Sequence, residues 1–102
     1  MQKKKIGCVK AATYILGDKW TPQLLRFFAN EDAVRFGHIQ DFVAGINPRT
    51  LSARLGNLEQ EGIIKKVQKA ESTRCEYSLT QKGQELVPIL HAMETWSTRH
   101  DS

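Results

Sequence analysis

Apolar residues recur at helical spacing through most of this chain and change to strand-like spacing only once, after Gly62. The clearest helical stretch is 47–62, where Leu51, Leu55 and Leu58 fall at i, i+4 and i+7 on one face. Asn47 is a strong N-cap, Pro48 suits the first helical position, and Gly62 suits the left-handed residue past the last turn. Upstream, Cys8, Val9, Ala12, Ile15 and Leu16 predict a first helix from about Cys8 to Leu16, ended by Gly17. Asp18 then caps a second helix through about Ala29, with Trp20, Leu24, Leu25, Phe27 and Phe28 on its buried face and Pro22 in its first turn. Asn30-Glu31-Asp32 is a turn, and Ala33–Phe36 leaves room for one small strand. A third helix is predicted over about 37–43 with Phe36, Ile39 and Phe42 facing inward, followed by an Ala44-Gly45-Ile46 turn.

After Gly62, residues 63–68 and 75–79 read as two short strands around a polar tip, Lys69 to Arg74. Thr80 caps a final helix to about Thr98, kinked at Pro88, with Leu86, Ile89, Leu90, Met93 and Trp96 at helical spacing. Two helices joined by a tight turn and followed by a two-stranded ribbon form a winged helix-turn-helix. The expected fold is therefore mainly α with a small β-sheet, in one domain over 1–102. Its expected parts are a basic arm over 1–7, the helix-turn-helix over 37–62, the wing over 63–79 and the C-terminal helix over 80–98. A three-helix core does not need two further apolar stripes, so the terminal helices are expected to form a homodimer interface through Leu86, Ile89, Leu90, Met93 and Trp96.

On the 47–62 helix the face opposite the leucines carries Arg49, Ala53, Asn57 and Gln60, with Thr50, Ser52 and Arg54 on its flanks. Its first two turns contain no carboxylate; Glu59 and Glu61 come at the far end. Taken alone, this pattern fits an ordinary solvated amphipathic helix. With a preceding helix and a basic wing it fits a helix that enters a DNA major groove by its N-terminal half. Arg49, Thr50, Ser52 and Ala53 would then meet base edges, Arg49 being suited to bidentate contact with guanine. Arg54, Asn57, Lys65, Lys69 and Arg74 would hold phosphates, although the flank position of Arg54 also allows it to pair with an acid within the domain.

The net charge of +4 is unevenly spread: residues 1–26 sum to +5 and 47–82 to +3, while 27–46 and 83–102 are each −2. A polyanion is the partner that such a distribution fits. Lys3-Lys4-Lys5 is followed by no continuous apolar run, and no stretch approaches the length of a membrane span, so a soluble, cytoplasmic protein is expected. Two cysteines, Cys8 and Cys75, make no disulfide framework and no zinc spacing, and neither a metal nor a cofactor is expected. His38, His91 and His100 are scattered and no nucleophile motif or phosphate loop accompanies them, which argues against an enzyme. Trp20, Phe36, Tyr77 and Trp96 read as core aromatics. A winged helix that binds protein instead of DNA is the alternative from another class; the uncharged-to-basic face of 47–57 argues against it.

The chain closely resembles the HxlR-type winged-helix regulators, relatives of the MarR regulators. The resemblance spans Cys8 to Trp96. It rests on Cys8-Val9, Ile15-Leu16-Gly17-Asp18-Lys19-Trp20 leading into Leu24-Leu25-Arg26, and Arg35-Phe36-Gly37. It continues through Gly45-Ile46, Thr50-Leu51, Arg54-Leu55, Leu58-Glu59, Gly62-Ile63-Ile64, and Arg74 with Glu76-Tyr77-Ser78-Leu79-Thr80. It implies a homodimeric, cytoplasmic transcription regulator on a palindromic operator, nucleoid-associated when bound to DNA. Some members of the family sense electrophiles or oxidants through a cysteine near the N-terminus, where Cys8 stands. Lys10 replaces a frequent Glu, and Cys75 replaces a usual Val; Cys75 reads as a small apolar residue. Cys8, between Lys5 and Lys10, has two readings: a reactive thiol that switches DNA binding, or a buried inert one.

Overall fold

The computed structural model describes residues 5–68 and 75–101. Its elements run α1 (Lys10–Leu16), α2 (Thr21–Asn30), α3 (Phe36–Phe42), α4 (Pro48–Gln60), β1 (Ile64–Gln68), β2 (Cys75–Leu79), α5 (Gln81–Gln84) and α6 (Val87–His100). No helix among the described residues is long and apolar enough to cross a membrane.

The core lies where α2, α3 and α4 meet the sheet. Leu24, Leu25 and Phe28 of α2, Ile39 of α3, and Leu51, Leu55 and Leu58 of α4 are buried, together with Val34, Val43, Ile46, Ile63 and Ile64 from the connections and β1. Each fully buried leucine contributes about 1.5–3 kcal/mol of transfer free energy, so the α4 stripe alone ties that helix firmly to the body. Trp20, Phe27, Phe36, Tyr77 and Leu79 pack partly buried around this centre.

β1 and β2 pair antiparallel from Ile64↔Leu79 to Gln68↔Cys75. On the other side of β2, the small strand expected near 33–36 is reduced to one bridge. Val34 N–H donates to the Tyr77 carbonyl at 2.9 Å and Tyr77 N–H to the Val34 carbonyl at 2.7 Å.

Four expectations are corrected. The first helix starts at Lys10, leaving Cys8 and Val9 outside it. Phe42 does not face inward: it is 43% exposed and lies against Phe27, ring centres 4.5 Å apart, with Val43 taking the buried position instead. The C-terminal helix over 80–98 is two helices. Thr80 caps only the short α5, and α6 starts afresh at Val87 with Pro88 in its first turn. Pro88 has no N–H to offer the carbonyl four residues back, Gln84, and its ring would collide with that carbonyl, so the chain breaks there instead of kinking. The fourth correction is Trp96, which is 66% exposed and not a core residue.

Candidate nucleic-acid interface

α4 is built as its sequence requires. Asn47 is extended at the N-cap, and its Oδ1 accepts the Thr50 N–H at 2.8 Å. Pro48 occupies the first turn, and Gly62, at φ 77°, closes the end in the left-handed region. The turn into α4 uses Gly45 at φ 89°. With the leucines buried, Arg49, Ser52, Ala53, Asn57 and Gln60 are exposed and Thr50 is half-buried. Arg49 has no ion-pair partner among the described residues. The exposed N-terminal half of α4 therefore presents a guanidinium, a hydroxyl and a methyl beside a positive helix end, with no carboxylate among them.

Lys65 of β1, opposite Ser78, is exposed on the ribbon that follows α4. Lys69 and Arg74, the wing-tip residues expected at phosphates, lie outside the described residues.

Arg54 is placed differently from its neighbours. Its Nη1 lies 3.7 Å from Asp18 Oδ2, in the turn between α1 and α2. Asp18 Oδ1 also accepts the Trp20 and Thr21 N–H groups, both at 2.8 Å, and Oδ2 accepts the Thr21 hydroxyl at 2.5 Å. Partial burial pushes the Asp18 carboxyl upward. The Thr21 hydroxyl, the two N–H donors and then Arg54 outweigh burial and hold it below its ordinary value of 3.8. Sequence reasoning allowed Arg54 an internal acid but did not identify Asp18; the signal is Asp18-Lys19-Trp20-Thr21 itself, an acid three residues before a hydroxyl at a helix start.

A second set of contacts missed in the sequence closes the other end of α4. The Thr80 hydroxyl bridges to the Gly62 and Ile63 carbonyls and accepts the Gly83 N–H at 3.1 Å. Lys82 Nζ donates to the Glu61 carbonyl at 2.8 Å. These contacts join the last turn of α4 to α5 and so to α6.

Cys8 is a free, exposed thiol; its Sγ accepts the Lys10 N–H at 3.4 Å. In the single chain Cys8 is thus open to solvent. Cys75 is also free and half-buried, beside Arg35, Phe36, His38 and Tyr77 in a groove. The α6 stripe divides in two: Leu86 and Leu90 pack against the core, whereas Ile89, Met93 and Trp96 stay exposed. Val9 and Tyr14 at the other terminus are exposed too, and α1 buries no residue fully.

A helix pair whose second helix is capped and free of carboxylates in its N-terminal half, followed by a paired ribbon, defines a winged helix-turn-helix protein. The sequence profile described as HxlR-like helix-turn-helix matches residues 15–102, and the chain belongs to that family. Among its relatives is YvaP of Bacillus subtilis, described as an uncharacterised HTH-type transcriptional regulator. It is 39% identical over 88 residues, 85% of this chain and 81% of its own length. Two solved structures share the fold. The redox regulator HypR in its oxidised form superposes with a TM-score of 0.84 at 27% identity, over 92% of this chain and 97% of that one. The reduced form of the transcriptional regulator YodB from B. subtilis gives 0.82 at 25% identity, over 95% and 97%.

Proposed function

We propose that this chain is a sequence-specific DNA-binding transcription regulator that acts as a homodimer on a palindromic operator. The observation that carries the reading is the exposed, carboxylate-free N-terminal half of α4, headed by Arg49 without an ion-pair partner among the described residues. In a major groove, Arg49, Thr50, Ser52 and Ala53 meet base edges, with Arg49 bidentate to guanine. Asn57, Lys65, Lys69 and Arg74 hold phosphates beside it. The exposed Ile89, Met93 and Trp96 of α6, with the first helix, join the two subunits, and Leu86 and Leu90 support that face from the core side. The two α4 helices then lie about 34–36 Å apart, one turn of duplex.

The exposure of Cys8 supports a switch by an electrophile or oxidant, because a thiol must be reached before it can be alkylated or oxidised. Two of the structural relatives are named as redox or transcriptional regulators, which agrees with that reading without assigning the effector.

The test starts from fragments selected by the protein out of genomic DNA, followed by gel shifts across salt. Arg49→Ala is expected to lose about 1–3 kcal/mol of discrimination at one base pair. Lys65→Ala and Lys69→Ala are expected to weaken all duplexes alike. Retention of wild-type sequence preference by Arg49→Ala, with no effect of either lysine change, would refute the assignment. Treatment with a quinone is expected to release the wild type from its operator and leave Cys8→Ser bound.

A further inference from the structure

Asp18 lies outside the helix-turn-helix, yet it is the residue that reaches across to α4. Its carboxylate is held by three hydrogen bonds from its own turn, two of them to Thr21, which is itself buried. Because those bonds fix the carboxylate, it is Arg54 that must come to it. Around the helix axis Arg54 leaves α4 only about 70° from the centre of the leucine stripe, whereas Arg49 leaves at about 150°. The Arg54 side chain accordingly runs inward along a cleft shared with Tyr14, Asn57 and Gln60.

We infer that Asp18 is a positioning residue for DNA recognition: by holding Arg54 it sets the rotation of α4 about its own axis and withdraws Arg54 from the phosphates. This rests on the DNA-binding reading above. Three leucines set which side of α4 is buried, but apolar contact is non-directional. A charged pair on one flank supplies direction. A rotation of about 20° moves a group about 6 Å from the helix axis by about 2 Å, enough to break base-edge hydrogen bonds of ordinary length. Both side chains of the pair are about a third exposed, a setting in which ion pairs add little to stability, so the consequence should be read in recognition rather than in folding.

Asp18→Asn tests this: Asn keeps an oxygen acceptor for the Trp20 and Thr21 N–H groups and removes the charge facing Arg54, while its amide NH2, in place of Oδ2, donates to the Thr21 hydroxyl instead of accepting from it. Arg54→Met removes the other partner while keeping the stem. The readout is the ratio of affinities for a selected operator and a random duplex, measured across salt. Both variants are expected to lower that ratio about 2–5-fold, the double variant no further than either alone, with the salt slope of the wild type retained. Thermal unfolding of Asp18→Asn is expected to stay within a few degrees of wild type. A salt slope lower by about one in Arg54→Met would instead make Arg54 a phosphate ligand and overturn the inference. So would a wild-type specificity ratio in Asp18→Asn. A wild-type protein that shows no operator preference fails the DNA-binding reading itself, which separates the two.

Discussion

Gly83 sits directly against the carbonyl of Ile63, with no room for a side-chain carbon between them. The nearest obstruction is backbone, at the junction where α4 passes into β1, and cannot swing aside; the Leu79 side chain crowds the same position. Helix propensity alone would favour alanine in α5 by about 1 kcal/mol. Here the clash outweighs it, and Gly83→Ala is expected to destabilise by about 1–3 kcal/mol. Gly56, inside α4, has nothing near the position a Cβ would take. Gly56→Ala should therefore stabilise by about 0.5–1 kcal/mol. Urea midpoints of the two variants, moving in opposite directions, check both.

The carboxyl of Asp18 gives stability a defined acid dependence. Its folded pKa lies below the ordinary 3.8, so the native state is favoured while the group is ionised. That contribution is complete well above 3.8, declines as the pH falls toward it, and is gone below the lowered folded value. Unfolding free energies in urea across this acid range should fall for the wild type. The Asp18→Asn variant should lack that part of the slope.

The proposed dimer places Met93 and Trp96, both exposed in the single chain, at the contact between subunits. Met93→Asp is expected to sediment as a monomer with unchanged helix content, because Met93 does not belong to the core. Palindrome affinity should fall at least ~10-fold once the second half-site no longer binds intramolecularly. Trp96 emission should shift to shorter wavelength as the wild-type dimer forms. Trp96→Phe, which leaves only the half-buried Trp20 to report, should remove that shift.

Phe27, half-buried, and the exposed Phe42 form a tilted aromatic pair, with the Arg26 guanidinium 5.5 Å from the Phe42 ring. Phe42→Ala is expected to cost about 1 kcal/mol or somewhat more, measured by thermal unfolding, well under the 3–5 kcal/mol of a fully buried phenylalanine.

How much of this was legible in the chain depended on whether the deciding contact was local. α4 was: its cap, its leading proline, its leucines and its terminal glycine are all neighbours in sequence, and its limits came out as expected. The two strands were also legible, from the change of period. Phe42 was misplaced because Phe36, Ile39 and Phe42 share a helical spacing, while the end of α3 turns Val43 inward in its place. The break before α6 was missed although Pro88 was noticed, because the alternative to a kink depended on α5 being anchored by Thr80, Lys82 and Gly83. Arg54 could be given a choice of partners but not the answer, since Asp18 meets it only in the folded chain. The candidate reading face, whose side chains come from one helix, was legible; the residues that hold this helix in place were not.

The bonds from Thr80 and Lys82 to the last turn of α4 have a mechanical consequence. They act as a joint between α4 and α6, whose 14 residues extend for about 21 Å. In the proposed dimer, a tilt of about 10° at this joint carries the far end of α6 by about 4 Å. Swing of the outer arm and separation of the two reading helices then become a single variable. On the proposed function, a chemical event anywhere along the subunit contact would change operator fit without touching a residue that faces DNA.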